Sequence, residues 1–344
     1  FKQKTAYEIM PSLVGSEMCI RDSVEEGFKS ADHVFEHTYS VHYVQHVSME
    51  PHVCFAYLDE NDRVVIVTAT QVPFHVRRIV ARVNQVPIAR IRVIKPRIGG
   101  GFGGKQEIVL EDLCAHLVLR TRKPIVMELT REEEFYCSRT RHPQYVTMKT
   151  GLMKDGTIVA NEMRVVANTG AYGAHALTVQ SNTGSKTLPL YRSPNIRYIA
   201  DVAYTNLPVA GAFRGYGAPQ GYFALESHLD EIAHELGIDP LELRRKNLIR
   251  EGDPDPIATK LGEGKEGFER VIRTCGMEKC IEAAGKEFFG RKMVSIEKPF
   301  ERKRRAVGFA LAMHGTGIAG DDMAGATIKV NEDGSFNLLI GATD

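Results

Sequence analysis

The stretch Ile98-Gly99-Gly100-Gly101-Phe102-Gly103-Gly104-Lys105-Gln106 is the densest run of glycine in this chain of 344 residues. It follows a strand-like apolar run at 91–94 and precedes a segment with helical spacing at 106–121. A loop of this kind lets several backbone N–H groups converge on an anionic oxygen at a helix N-terminus, and its one aromatic ring closes a side of the pocket. The stretch therefore predicts a ligand-binding loop between a strand and a helix.

Two nucleotide-binding motifs match this stretch in part. Gly99, Gly101 and Gly104 satisfy G-x-G-x-x-G, and Glu128 follows after a strand-like run, so an NAD-dependent dehydrogenase stays open as an alternative. The P-loop pattern fails because Gln106 stands where a Ser or Thr must bind magnesium. A non-catalytic binding module on the same scaffold is a third hypothesis.

A second loop, written Ala210-Gly211-Ala212-Phe213-Arg214-Gly215-Tyr216-Gly217-Ala218-Pro219-Gln220, combines small residues with one arginine and two aromatic rings. Arg214 is expected to meet an anion or several carbonyl groups, because burial of an unpaired guanidinium is costly. Tyr216 lies between two glycines and can present its ring to a flat ligand. A third piece, 68–73, places the Gln71 amide at the start of a helix, which by itself is typical of an N-cap.

The composition narrows the class of protein. The chain has 44 Lys and Arg against 43 Asp and Glu, a net charge of +1 and 43% hydrophobic residues. This is typical of a soluble globular protein without the basic excess that phosphate backbones demand, and no apolar run has the length of a membrane helix. We expect no nucleic-acid partner, no membrane and a cytoplasmic location. The six cysteines are scattered and are expected to be structural thiols.

Short alternating runs and longer helical patterns succeed each other from Val24 onward, which predicts a mixed α+β chain. The predicted hairpins pair 53–58 with 64–68, 146–153 with 158–166, and 326–330 with 336–340. Helices are predicted at 73–84, 106–121 and 220–236, and from 240 to 248 with Asp239 as the N-cap. An amphipathic patch at 269–289 indicates one more helix.

The two ends of the chain and a repeat suggest a domain organisation. Residues 10–23 are similar to a translated sequencing-adapter tag, so we expect residues 1–23 to be a foreign or artefactual segment. Residues 326–344 match residues 53–71 over nineteen positions, which indicates an internal repeat, with chance similarity as the alternative. We expect a fragment with a first domain at 24–261, a connector at 262–301 and a truncated second domain at 302–344.

Six motifs follow one another along the chain: Thr70-Gln71, the glycine stretch at 99–105, Arg141-His142-Pro143, 168–172 (NTGAY), 205–207 (TNL) and 212–220 (AFRGYGAPQ). In this order they resemble the molybdenum-binding subunit of the xanthine dehydrogenase and aldehyde oxidoreductase family, of the bacterial xanthine dehydrogenase type. The resemblance runs from about residue 24 to residue 344. It implies the α+β fold of the molybdenum-cofactor-binding domain of molybdenum hydroxylases, with the second cofactor-binding domain truncated.

The resemblance implies a hydroxylase that oxidises an N-heterocycle with oxygen derived from water. The implied cofactor is molybdenum bound to molybdopterin, and whether the pterin carries a cytosine dinucleotide stays open. Electrons are expected to pass to partner subunits that carry 2Fe-2S clusters and FAD, because neither cluster cysteines nor a flavin domain occurs in this sequence.

The resemblance also implies roles for individual residues. Gln71 hydrogen-bonds an oxygen ligand of the metal, the main chain around Phe102 lines the cofactor, and Arg214 lies against it. The implied cofactor-binding residues are Gln71, Gly101, Phe102, Gly103 and Arg214, of which Gln71, Phe102 and Arg214 contact molybdenum through its cofactor ligands. Tyr216 takes the position of an aromatic ring that stacks on the substrate, and Gln106 contacts the substrate as well.

Two departures from the family pattern bear on the substrate. Animal-type purine enzymes carry a glutamate where this chain has Gln106 and an arginine near where it has Asn182. A xanthine- or hypoxanthine-like purine stays the leading class, with aldehydes and nicotinate-like rings as alternatives, because an amide both donates and accepts. The family's general-base glutamate lies in a motif that this sequence does not reach, so we name no catalytic base and expect the chain alone to be inactive.

Overall fold

The computed structural model of the chain describes residues 16–20, 24–257, 269–288, 308–314 and 325–340. The strands in chain order are β1 (Ser16–Ile20), β2 (His33–Val41), β3 (Val53–Leu58), β4 (Val64–Thr68), β5 (Ile91–Ile94), β6 (Ile125–Glu128), β7 (Thr140–Arg141), β8 (Gln144–Leu152), β9 (Ile158–Gly170), β10 (Asn195–Tyr204), β11 (Ala210–Gly211), β12 (Ala326–Val330) and β13 (Phe336–Ile340). The helices are α1 (Val24–Ser30), α2 (Pro73–Val83), α3 (Glu111–Thr121), α4 (Arg131–Cys137), α5 (Ala176–Thr187), α6 (Ala218–Leu236), α7 (Pro240–Asn247) and α8 (Met277–Phe288).

The larger sheet has the strand order β1-β10-β9-β8-β2. Strands β8 and β9 form an antiparallel hairpin, and β10 adds to β9 in parallel. Buried residues alternate along β8 and β9, because successive side chains of a strand point to opposite faces. The buried face packs against α6 and α7 and forms the larger hydrophobic core.

The smaller sheet has the order β5-β4-β3-β6. Helices α2 and α3 cover it, and Val76, Val80 and Val118 are fully buried against Ile66 in a second hydrophobic core. The two sheets, each with its own helices and with both parallel and antiparallel pairs, confirm the predicted α+β class.

The three predicted hairpins are confirmed, and β3, β4, β12 and β13 have the predicted bounds. Asp239 caps α7 as predicted, because its side chain accepts the backbone N–H groups of Leu241 and Glu242. The prediction of a helix from residue 106 is wrong at its start, since α3 begins at Glu111. The carboxylate of Glu111 accepts the N–H groups of Val109 and Leu110, and residues 101–106 form separate turns.

The predicted domain bounds stay predictions. Residues 1–23 are expected to be a foreign or artefactual segment, and Ser16–Ile20 pair with β10 as an antiparallel edge strand. Most of the connector at 262–301 and the start of the region at 302–344 lie outside the described residues, apart from 269–288, 308–314 and the hairpin of β12 and β13.

In the part of the chain that the structure describes, no helix combines the length and the apolar character that crossing a bilayer requires.

Candidate functional site

One cavity of about 440 Å³ lies between the glycine-rich loop and the loop before α6. Its lining is Gln71, Ile98, Gly100, Gly101, Phe102, Gly103, Gln106, Ala212, Phe213, Arg214, Gly215 and Tyr216. All seven site residues that the sequence predicts are in this lining. The structure thus brings together three segments that are far apart in the sequence, and the roles of the residues stay predictions.

The exit of β4 positions Gln71 at the cavity. The backbone N–H of Gln71 donates to the carbonyl of Lys105 at 2.9 Å. Its side-chain Oε1 accepts the backbone N–H of Gly103 at 3.0 Å and that of Lys105 at 3.3 Å. Gln71 therefore does not cap α2, as its position before the helix suggested, but holds the glycine-rich loop.

Positive φ angles shape the glycine-rich loop. Phe102 has φ +53°, a left-handed conformation that costs energy in a residue with a side chain, and Gly103 has φ +95°. A Cβ atom on Gly103 would lie 2.9 Å from the carbonyl oxygen of Ala212. Glycine at 103 therefore lets the two loops approach at the cavity wall.

The expectation of an anion site at a helix N-terminus is wrong for this loop. Helix α3 begins at Glu111, so the backbone between Gly104 and Glu111 separates the loop from the helix. The N–H groups of Gly103 and Lys105 donate to Gln71. The dinucleotide motif requires its glycines to open directly into a helix, and this geometry does not provide that arrangement.

An ion pair between Lys105 and Glu50 anchors the glycine-rich loop. Lys105 is only 2% exposed, and its Nζ lies 2.7 Å from Oε2 of Glu50. The same oxygen accepts the backbone N–H of Gly99 at 2.9 Å, so Glu50 ties the two ends of the loop together. A second pair, His52 and Glu134, is buried next to it, and His52 Nε2 lies 3.2 Å from the carbonyl of Gly104.

Backbone hydrogen bonds and contacts with the ring of Phe213 fix the loop before α6. The backbone N–H of Arg214 donates to the carbonyl of Phe102 at 2.9 Å, and a guanidinium N–H of Arg141 donates to the carbonyl of Arg214 at 2.8 Å. The guanidinium of Arg141 lies 4.0 Å from the ring centroid of Phe213, and His46 stacks on the same ring at 4.2 Å. Burial lowers the pKa of Arg141 to about 10, which leaves it charged at neutral pH.

Arg214 itself is exposed. The expectation that its guanidinium is buried and therefore needs an anion or several carbonyl groups is wrong. Among the described residues that line the cavity, its guanidinium is the one charged group. His46 is not among the residues predicted from the sequence, and Arg141 belongs to a motif but has no predicted role. The Arg141-His142-Pro143 motif was the signal for Arg141, whereas a lone histidine such as His46 gives none.

Gln106 and Tyr216 lie at the rim as the two predicted substrate residues. The backbone N–H of Gln106 donates to the carbonyl of Gly103 at 3.2 Å, and that of Tyr216 donates to the carbonyl of Phe213 at 2.7 Å. Asn182 lies elsewhere, because it is buried within α5 at 4% exposure and is not part of the cavity lining.

The cavity suits an anionic, oxygen-rich cofactor. Its described lining contains no carboxylate, and it offers one guanidinium, two carboxamides and glycine backbone. A Cβ atom on Gly101 would lie 2.6 Å from the side chain of Gln71, so glycine keeps the wall open beside the carboxamide. Within the described ranges no group of three His, Cys, Asp or Glu residues could hold a metal ion directly.

The fold is that of the cofactor-binding domains of molybdenum hydroxylases. The family model of the molybdopterin cofactor-binding domain matches residues 10–248, and the chain belongs to this family.

Named relatives agree with the resemblance seen in the sequence, which is thereby confirmed. The chain is 39% identical over 325 residues to a probable hypoxanthine oxidase, XdhD, of Escherichia coli K12, across 93% of this chain and 33% of the relative. It is 37% identical over 326 residues to a putative xanthine dehydrogenase molybdenum-binding subunit, XdhA, of the same strain, across 94% of this chain and 42% of the relative.

A solved structure, the aldehyde oxidoreductase of Desulfovibrio gigas, superposes with a TM-score of 0.83 at 26% identity. The match covers 98% of this chain and 36% of that protein. The chain therefore spans about a third to two fifths of the length of these proteins.

Proposed function

We propose that the chain is the molybdopterin-binding part of a hydroxylase that oxidises an N-heterocycle of the xanthine or hypoxanthine type with oxygen from water. The observation that carries this proposal is that one cavity of about 440 Å³ is lined by every residue to which the sequence assigns a role at the cofactor or the substrate. Membership of the molybdopterin cofactor-binding family and similarity to the probable hypoxanthine oxidase support it.

Gln71, Gly101, Phe102, Gly103 and Arg214 would hold the cofactor. The chemistry that molybdenum and its pterin supply when bound is a two-electron oxidation of an electron-poor C–H carbon, with water as the source of oxygen. Oε1 of Gln71 faces the backbone of the glycine-rich loop, so its amide donor Nε2 is the group that would meet an oxygen ligand of the metal. Arg214 adds the positive charge that favours an anionic group in the cavity.

Gln106 and Tyr216 would contact the substrate and determine which substrates bind. A carboxamide presents both a donor and an acceptor to a ring edge, and purines carry both kinds of group along their edges. The ring of Tyr216 offers a face or an edge to a flat heterocycle. These two side chains therefore favour a heterocycle over a ligand without ring nitrogen atoms.

The remaining parts of the reaction are assigned to other residues and chains. The family's general base is a glutamate in a C-terminal motif, and the residues of the cavity described above would position the reactants. Iron–sulfur and FAD subunits are the proposed electron acceptors, and the proposed location is the cytoplasm. The pterin would be either plain molybdopterin or its cytosine dinucleotide form.

A second candidate is the oxidation of aldehydes, favoured by the structural similarity to the aldehyde oxidoreductase, with a TM-score of 0.83. A nicotinate-type substrate remains a further alternative within the same chemistry. Outside molybdenum hydroxylase chemistry, the competing hypotheses are an NAD-dependent dehydrogenase and a non-catalytic remnant.

The test uses the protein expressed from its genomic reading frame in molybdate-replete cells together with its co-expressed neighbours. Hypoxanthine, nicotinate and benzaldehyde are compared as substrates in water enriched in oxygen-18, with a dye as electron acceptor. We expect hypoxanthine to have the highest kcat/KM and its product to carry the heavy oxygen. Faster oxidation of benzaldehyde would favour the aldehyde alternative, and molybdenum-free reduction of NAD would overturn the proposal.

A further inference from the structure

The hydroxyl group of Tyr216 lies in a hydrogen-bonded network on the far side of the cavity wall. It is 2.5 Å from Nδ1 of His175 and 2.5 Å from Oγ1 of Thr178. The rings of Tyr216 and His175 meet edge to face, with centroids 5.5 Å apart at 85°. His175 is the N-cap residue of α5 and Thr178 lies in its first turn, so the start of this helix holds the tyrosine.

A buried carboxylate lies close to the other side of the His175 ring. Nε2 of His175 lies 3.5 Å from Oε1 of Glu107, whose side chain is 11% exposed, and Arg139 donates to the other oxygen of Glu107. We infer that a neutral His175 carries its proton on Nε2, the ring nitrogen nearer the carboxylate, and accepts the hydroxyl of Tyr216 at Nδ1. Burial lowers the pKa of His175, which favours this neutral form at pH 7.

The backbone conformation around Tyr216 brings its side chain close to α5. Tyr216 has φ +42°, between Gly215 at +90° and Gly217 at +95°. A Cβ atom on Gly217 would lie 2.2 Å from the carbonyl oxygen of Val179, so only glycine lets this loop come so close to α5. The left-handed conformation of Tyr216 has an energetic cost, and the two side-chain contacts of its hydroxyl offset part of that cost.

We propose that His175 and Thr178 are positioning residues for substrate recognition, which fix the ring of Tyr216 by binding its hydroxyl on the α5 side of the loop. The ring, and not the hydroxyl, then meets a heterocycle in the cavity. This inference rests on the proposed function in one respect, the contact between Tyr216 and the substrate ring. A phenylalanine at this position could not be held in the same way, because it has no hydroxyl for the two residues to bind.

The experiment is a double-mutant cycle in the holoenzyme between Thr178→Val and Tyr216→Phe. Thr178→Val removes one of the two contacts of the Tyr216 hydroxyl and Tyr216→Phe removes both, so we expect KM for hypoxanthine to rise about fivefold in the first variant and at least as much in the second, with kcat within about twofold of wild type in both. In the Tyr216→Phe background, Thr178→Val should change nothing further. The Kd of uric acid, which is not oxidised further at this centre, should follow KM.

Conservative variants test the role of each partner. Thr178→Ser retains the hydroxyl, and His175→Asn retains an acceptor near Nδ1 and tolerates the positive φ of +54° at this position. Both should keep KM within about twofold of wild type, whereas His175→Leu should raise it about fivefold. Equal effects of Thr178→Val in both backgrounds, or an unchanged KM in His175→Leu, would overturn the inference.

A spectroscopic readout separates failure of this inference from failure of the proposed function. The 15N signals of His175, identified by their loss in His175→Asn, should show a neutral ring protonated at Nε2. The Nδ1 signal should shift in Tyr216→Phe. If the wild-type protein contains no molybdenum and oxidises no heterocycle, the proposed function fails, and an Nδ1 signal that does not shift in Tyr216→Phe independently overturns the network.

Discussion

The side-chain oxygen of Gln71 accepts the backbone N–H of Gly103 at a distance of 3.0 Å. This contact joins the exit of β4 to the glycine-rich loop, and the N–H of Lys105 shares the same oxygen. A carboxamide has one acceptor end and one donor end, so the loop determines which end of Gln71 faces the cavity. Gln71 can therefore serve two separate purposes, which single substitutions distinguish.

We predict that Gln71→Ala and Gln71→Glu differ in stability. The alanine variant leaves two N–H groups of the loop without their acceptor and should lower the free energy of unfolding by about 1–3 kcal/mol. The glutamate variant keeps an acceptor and should unfold like the wild type, which urea denaturation can measure. Its turnover should nevertheless fall at least about tenfold, because a carboxylate cannot donate to an oxygen ligand.

Glu60, exposed in the turn between β3 and β4, gives a control on the same sheet. Glu60→Gln should change neither the stability nor the turnover. If Gln71→Glu retains wild-type turnover, the donor role of Gln71 is wrong.

The approach of the two loops at Gly103 predicts a large cost for a methyl group there. Gly103→Ala places a side chain at φ +95° and 2.9 Å from the backbone of Ala212. The matched control is Gly237→Ala, at φ +67° with no atom within 4 Å of the new Cβ. The control should cost about 1–2 kcal/mol from its φ alone, and Gly103→Ala about 1–3 kcal/mol more from the clash. Equal losses in urea denaturation would show that the loops do not touch as described.

Gln106 should determine which heterocycles are preferred. In Gln106→Glu a carboxylate replaces the amide, and it can only accept hydrogen bonds at neutral pH. We expect the ratio of kcat/KM for hypoxanthine and xanthine to change by at least about tenfold, because the two purines present different donors and acceptors to the same site. The melting temperature should stay the same, since Gln106 is only half-buried at the rim. An unchanged ratio would remove Gln106 from the substrate site.

His142 should make the stability depend on pH. Burial lowers the pKa of His142 to about 4 from its ordinary value of 6.5, and this effect outweighs the nearby backbone of Gly211, which raises the pKa. Between these values the unfolded chain binds a proton that the folded chain does not, so stability is lost as the pH falls from about 6.5 to about 4.

The comparison is with His142→Leu. The free energy of unfolding of the wild type, relative to this variant, should fall by at most about 1.4 kcal/mol per pH unit within that window and should not change above it. A difference that is constant from pH 4 to pH 8 would mean that the pKa of His142 is the same in the folded and the unfolded protein, which would contradict the prediction.

Much of the fold follows from local sequence signals. The hairpin of β3 and β4 has the predicted bounds, because alternating apolar residues and a polar turn determine both strands. Asp239 before Pro240 predicts the start of α7 through its capping bonds. The seven predicted site residues meet at one cavity, although this prediction came from the resemblance and not from periodicity.

Other features depend on tertiary contacts that no local pattern shows. Helix α5 contains threonine, serine and glycine, which are poor helix formers, and tertiary packing stabilises it. Gly184 of this helix lies directly against the buried ring of Tyr198, where a Cβ atom would lie 2.8 Å from the ring. Likewise, the bond between Gln71 and Gly103 joins residues 32 apart in the sequence, so the local pattern suggested an N-cap.

The molybdenum content of the folded protein tests the central claim most directly. The protein is expressed from its genomic reading frame in molybdate-replete cells, and molybdenum per chain is measured by plasma mass spectrometry beside circular dichroism. We predict about one molybdenum per chain, a value that should fall in Gly103→Ala, whose added methyl group clashes at the cavity wall. A folded protein that contains no molybdenum under these conditions would contradict the account.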